Sequence, residues 1–304
     1  MFAVALVLAG FIGVSLGLLG GGGSILTLPI LKYVLGFEAH RAIASSLFVV
    51  GATAATALIP HARKGRVRWR TGLIFGLAGM AGAFGAGRIA KFIPSGILLV
   101  LFATMMVITA IAMLRGRKAP AGAEAAKEVS GDLPVLKVLA EGLVVGGVTG
   151  LVGAGGGFLV VPALVLLGGL PMNVAVGTSL LVIAMKSFAG FAGYLSSTTV
   201  EWTTLLAITG LAIVGSIIGG WAAGKVSQEK LRRGFGWFVV IMAVYMLAQE
   251  LPAVLHVKVA PSIPWLLAGI TTVLTVILET LSNRGTQSVG AVASVPELAS
   301  DGAQ

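Results

Sequence analysis

The chain has 304 residues, 57% of them hydrophobic and only 11% charged, with a formal net charge of +10 and a mean hydropathy of +1.02. Soluble domains carry roughly a quarter charged residues, so water is not the main solvent here, and a basic excess placed in short loops beside apolar runs reads as membrane orientation rather than nucleic-acid binding. Cysteine is absent and the three histidines are scattered, which excludes disulfides and thiolate metal sites and leaves no metal-ligand spacing; no metal and no cofactor are expected.

An α-helix needs about 20 mostly apolar residues to cross the roughly 30 Å hydrocarbon core. The first run, 2–19, is slightly short of that, but it lacks a basic n-region and leads into a glycine cluster instead of a cleavage site, so it reads as part of the fold. Further runs fall at 42–60, 71–90, 95–114, 134–152, 174–195, 203–223, 231–249 and 263–281. Two shorter apolar pieces, 24–36 and 157–168, cover only about 18–20 Å as helices.

Sliding the sequence on itself by 133 residues aligns Gly17, Gly20, Gly22, Gly23 and Pro29 with Gly150, Gly153, Gly155, Gly156 and Pro162. The register continues without a gap, placing Ala42, Ser46, Leu47, Val67, Trp69, Gly82 and Gly87 on Ala175, Ser179, Leu180, Val200, Trp202, Gly215 and Gly220. The chain therefore reads as a first transmembrane repeat over 1–114, a polar cytoplasmic linker over 115–133 and a second repeat over 134–250. An additional helix over 251–282 and a disordered cytoplasmic tail over 283–304 complete it.

Charge placement sets the orientation. Lys and Arg gather in loops 61–70, 115–118 and 225–233, which are expected to be cytoplasmic in a bacterial inner membrane. The loop equivalent to the first of these, 195–202, has no basic residue and carries Glu201. Equivalent loops then face opposite sides, which requires an odd number of crossings per repeat. Each short piece must change the parity, either by crossing jointly with the preceding helix or by forming a re-entrant hairpin with it. The expected fold class is an all-α polytopic membrane protein of two inverted-topology repeats, each with a Gly-rich broken or re-entrant helix, plus the C-terminal span.

The candidate site lies at the glycine clusters, Gly20, Gly21, Gly22, Gly23 and Ser24 in the first repeat and Gly153, Ala154, Gly155, Gly156 and Gly157 in the second. Non-helical backbone survives in hydrocarbon only against protein or around a polar cavity, and a short helix starting there aims free N–H groups into it. Two facing tips make an anion site near the midplane. The alternative is that these glycines serve helix packing alone. A phosphate-loop reading fails, because no Lys-Ser/Thr follows the last glycine and no βαβ pattern surrounds it. The next helix adds Ser45 and Ser46 in one repeat and Thr178 and Ser179 in the other. Seven residues after Ser46 and Ser179, hence on the same face, come Thr53 and Lys186. A lysine deep in a span is costly unless it faces a cavity or a counter-charge, so Lys186 is the leading substrate contact, with pairing to a structural acid or carbonyl as the alternative. Trp69 and Trp202, at equivalent loop ends, read as interfacial anchors.

These features resemble the sulfite exporter TauE/SafE family, also called the 4-toluene sulfonate uptake permease family. The likeness covers about 2–250 and rests on the Gly-rich elements with Pro29 and Pro162, ASSLF at 44–48, GTSLLVIAMKSFAGFAGYL at 177–195 and H-x-R-x-G-x-V-x-W at 61–69. The resemblance implies membrane transport of sulfite, a sulfonate or a related organic acid, with the two tips and the following Ser/Thr positions as its site. The expected activity is secondary transport of a small anion, with an anion channel on the same scaffold, or a non-sulfur organic anion, as alternatives. Its partners are the anionic substrate and the bilayer, with no nucleic acid. No nucleophile and base converge within the spans, so no enzymatic activity is expected.

Overall fold

The computed structural model describes residues 2–19, 24–114, 135–153, 156–166, 170–222 and 228–255. Among them every element is helical, and they follow in order: α1 Phe2–Leu19, α2 Thr27–Pro29 continuing as a π-helix Ile30–Val34, α3 Ala39–Arg63, α4 Trp69–Ile89, α5 Ser95–Leu114, α6 Val135–Val152, α7 Gly157–Leu166, α8 Met172–Tyr194, α9 Trp202–Ala222 and α10 Gln228–Val254. Every apolar run read from the sequence is occupied by a helix except 263–281, which lies outside the described residues, as do the linker and the tail. α10 runs through Pro252 to Val254, past the boundary placed at 250.

Among the described residues five helices are long and apolar enough to cross a membrane: Ala39–Arg63, Trp69–Phe92, Val174–Tyr194, Trp202–Gly219 and Gly236–Val254. Bulky apolar side chains such as Leu77, Phe84, Leu206, Val214 and Ile218 point outward along them, as lipid contact requires. The molecule is a polytopic helical membrane protein. Trp69 and Trp202 are both about half exposed at helix starts, and Trp202 also sets its ring edge-on to Phe48 and Phe191, 5.9 and 6.0 Å between centroids.

Close backbone contacts at small residues fix the helix directions. α4 and α6 run parallel, since Gly142 lies against Phe75, Gly146 against Gly79 and Gly150 against Ala83. α4 and α8 are also parallel, with Gly72 on Leu181, Gly76 on Met185 and Gly87 on Gly190. α3 and α8 cross antiparallel, Gly51 meeting Phe188 and Leu47 meeting Gly190. It follows that α6 and α8 point the same way and that α7, between them, carries the chain back.

Equivalent contacts recur across the two halves. Gly13 lies against Ala212 as Gly146 lies against Gly79, and Gly215 against Gly10 as Gly82 lies against Leu143, each pair related by 133 residues. α1 thus packs on α9 and α6 on α4, so the opening helix of each half is seated on the other half. The 133-residue offset read from the sequence does not by itself show this exchange. The short segment after the first glycine cluster is enclosed: Ser24 to Leu31 are all buried, which is how such a piece avoids exposing unpaired backbone to lipid.

Candidate functional site

The second glycine tip is built where α6 ends. Gly153 and Gly156 adopt φ of +70° and +66°, a left-handed backbone that glycine reaches without strain and that reverses the chain into α7. The amide of Gly153 still bonds to Thr149 O at 3.1 Å, and those of Leu159 and Val160 both reach Gly156 O at 3.0 Å, so the turn is closed by its own backbone. Ala154 and Gly155, between the two left-handed residues, lie outside the described residues, and Gly157 is the first residue of α7.

Two long helices hold this tip. From α3, Ser46 Oγ lies 2.6 Å from Gly153 O and 2.8 Å from Ile43 O, and its single proton serves one of them at a time. From α8, Lys186 Nζ donates to Thr149 Oγ1 at 2.6 Å, and that hydroxyl donates in turn to Val145 O at 2.7 Å. A methyl group added at Gly156 would land on Lys186 Nζ and on Thr149 Cγ2, so the lysine amine lies directly against the tip. Gly79 of α4 leaves room for the lysine stem, whose Cβ stands 3.6 Å from the position a Gly79 side chain would take. Lys186 is only 1% exposed, and among the described residues no carboxylate pairs with it. One of its three N–H donors is used by Thr149. Among the described residues its partner is thus the Thr149 hydroxyl, neither the acid nor the backbone carbonyl of the alternative.

The other sequence-derived candidates are distributed as follows. Thr53 is fully buried and donates to its own helix, to Val49 O at 2.7 Å and Val50 O at 3.1 Å. The antiparallel register of α3 and α8 sets it level with Lys186. Ser45 is buried with its hydroxyl unpartnered, and Ser24 is buried as well. Thr178 turns to the loop before α4, accepting from the backbone N–H of Arg68 at 3.0 Å, and Ser179 donates to Val176 O at 2.8 Å. Ser46, Gly153, Gly156 and Lys186 are thus brought together, whereas Thr178 and Ser179 are engaged with Arg68 and their own helix. Gly20, Gly21, Gly22 and Gly23 lie outside the described residues.

Thr149 is the residue that sequence reading missed. It immediately precedes the glycine run, and the residue 133 earlier is Leu16, so the substitution of a hydroxyl for an aliphatic chain beside the tip was the available signal. Tyr194, fully buried, is a second omission; its hydroxyl donates to Leu151 O at 2.7 Å and ties the end of α8 to the end of α6.

A helical, multi-pass membrane protein with a lysine held against a reversed glycine tip in its interior defines a class of molecule built around buried polar backbone. Residues 5–246 match the family described as "Sulfite exporter TauE/SafE". The chain belongs to that family. It is 39% identical over 241 residues to a "Probable membrane transporter protein" of Xylella fastidiosa (strain 9a5c), an alignment covering 78% of this chain and 92% of that protein. It is 26% identical over 217 residues to the "Probable membrane transporter protein YdhB" of Bacillus subtilis (strain 168), covering 71% and 86%. A "Probable membrane transporter protein" of Haemophilus influenzae (strain ATCC 51907 / DSM 11121 / KW20 / Rd) is 23% identical over 258 residues, covering 79% and 94%. No solved structure is matched.

Proposed function

We propose that this protein is a secondary transporter in the cell membrane that carries a small sulfur-containing anion, sulfite or an organosulfonate, and has no enzymatic activity. The observation that carries the reading is Lys186, a buried ammonium with a hydroxyl partner and no carboxylate among the described residues. A cation taken out of water is costly until a counter-charge arrives. An anion that reaches Lys186 beside the tip supplies that charge. The family and the names of its relatives support transport. The sulfur chemistry rests on the family description.

The antiparallel crossing of α3 and α8, which hold equivalent places in the two halves, supports inverted-topology repeats. The common direction of α6 and α8 supports a re-entrant hairpin at α6–α7, and by equivalence at α1–α2. Such a scaffold lets one half rock against the other around a fixed site, which is alternating access. On this reading the basic loop at 61–70 faces the cytoplasm.

The test is uptake of labelled sulfite and of an organosulfonate into proteoliposomes, with Lys186→Met as the control. Saturable uptake that the variant lowers by about 30-fold or more in kcat/KM is expected, since truncating one partner of a desolvated charge pair costs at least about 2 kcal/mol. Unsaturable conductance would assign a channel instead. Equal uptake by wild type and variant would overturn the role of Lys186.

A further inference from the structure

Away from the tip, on the face where α3 begins and α8 ends, the surface opens into a recess of about 480 Å³. It is lined by Glu38, His40, Arg41, Lys91 and the hydroxyl residues Ser197, Thr198 and Thr199. The carboxylates nearby are already engaged. Glu38 accepts from the backbone N–H groups of His40 and Arg41 at 3.2 and 3.3 Å and faces His40 Nδ1 at 3.2 Å. Glu201 accepts from Thr204 at 3.0 Å and stands 4.0 Å from Arg41 Nη1.

The cations are held yet keep donors to spare. Arg41 donates through Nε to Thr199 O at 3.2 Å and pairs through Nη1 with Glu201 at 4.0 Å, leaving Nη2 for another acceptor. Lys91 Nζ sits 4.9 Å from the centre of the Phe92 ring and pairs with no carboxylate among the described residues. Each ring nitrogen of His40 already faces an acceptor, Glu38 Oε1 and Ala90 O, both at 3.2 Å, so the free donors of the recess are those of Arg41 and Lys91. A compact anion rich in acceptor oxygens fits this set of cations and hydroxyls.

Polar groups continue inward from Arg41 along α3. Ser45 follows Arg41 by four residues, hence on the same face and about 6 Å further along α3, and its buried hydroxyl has no partner. The next residue, Ser46, touches the tip at Gly153. The residues 133 before Ser197 and Thr199 are Lys64 and Arg66, so the equivalent loop at the other end of α3 also carries cations.

We propose that this recess is a second anion site, an antechamber that captures a free oxyanion from the aqueous phase before it passes along α3 to the tip. The proposal rests on the transporter reading for its role, but not for its binding. Crystals of the full-length protein soaked in selenate test the binding, since selenium is located by anomalous scattering. A peak among Arg41, Lys91 and Ser197–Thr199 that disappears in Lys91→Gln supports the proposal, whatever is found at Lys186. No peak there at selenate concentrations that saturate a thermal shift overturns it, and a peak at the tip alone does so while leaving the transporter reading intact. Lys91 makes no hydrogen bond that the fold depends on, so its replacement is not expected to impair folding. In proteoliposomes Lys91→Gln should raise KM about two- to fivefold at low salt, an effect shrinking between about 0.02 and 0.2 M salt and restored by Lys91→Arg. An unchanged KM across that salt range would remove the antechamber from the transport path.

Discussion

At the second tip, Lys186 donates to Thr149 and lies against Gly156; in the first half the residues 133 earlier are Thr53 and Leu16. Thr53 satisfies itself on its own helix, and Leu16 is a buried aliphatic residue. The scaffolds around these two places correspond, because Gly13 on Ala212 and Gly146 on Gly79 are the same contact made twice. Packing in such a protein depends on small residues that let backbones approach, and it is repeated in both halves. The chemistry depends on a few side chains, and there the halves have diverged: a cation with a hydroxyl in one, a self-bonded threonine with an aliphatic neighbour in the other.

The largest test of that comparison is to move the cation. Lys186→Thr should abolish anion-dependent thermal stabilisation, while the triple variant Lys186→Thr, Thr53→Lys and Leu16→Thr should recover part of it if the halves offer equivalent ground. Lys186→Met sharpens the point, because replacing a buried charge by a similar apolar chain is often neutral or stabilising when nothing is bound. Its melting temperature without anion should equal or exceed that of wild type, and the shift with added sulfite should vanish. A variant that melts lower yet still responds to sulfite would make Lys186 structural.

Next in size is Gly156→Ala. The left-handed backbone there costs a β-carbon about 1–2 kcal/mol, and the added methyl also meets Lys186 and Thr149. Gly85→Ala, where nothing stands within 4 Å of the new methyl, should instead stabilise α4 by about 0.5–1 kcal/mol. Thermal unfolding of the two variants separates glycine kept for a reversed backbone from glycine kept by drift. Thr149→Val should cost about 1.5–3 kcal/mol, since it removes a hydrogen bond to a charged group. Leu16→Thr alone gains no equivalent partner, as Thr53 is already bonded to α3, and should destabilise by about 1–3 kcal/mol.

Much of the fold was legible because a membrane span is a length and a composition, and both are visible in one sequence. The boundaries of α3, α4, α5, α6, α8 and α9 fall within a few residues of the apolar runs. The 133-residue offset was visible because glycines and prolines recur along it. The seating of α1 on α9 and α6 on α4 was not, since a Gly facing its own half and a Gly facing the other look alike along the chain. At the site, Lys186 stood out as a charge where charges are expensive. Thr149 did not, because a threonine in a span usually bonds its own helix, and only its distance to Nζ reveals a second partner. Ser179 shared a helix face with Lys186 by spacing and Thr178 precedes it, but their hydroxyls are engaged with Val176 and Arg68, which spacing cannot foresee.

The smallest predicted effect concerns the starts of α3 and α8, which correspond in the repeat but are capped differently. Glu38 caps α3 through its side chain, whereas Pro171 in front of α8 offers no side-chain cap. Burial alone would push the Glu38 carboxyl up, but hydrogen bonds from the His40 backbone, the His40 ring and the Arg41 backbone outweigh it and hold the group below its usual 4.5. A carboxyl depressed in the folded state adds stability that is fully present above the unfolded-state value and is lost as pH falls through the folded-state value. The melting-temperature gap between wild type and Glu38→Gln should therefore be open at about pH 5 and close progressively toward about pH 3. With the side chain 64% exposed, screening by solvent keeps that gap small, of the order of a degree. A matching change at Pro171 should show no such acid dependence, and a Glu38→Gln gap that widened on acidification would mean that the cap is not what orders the start of α3.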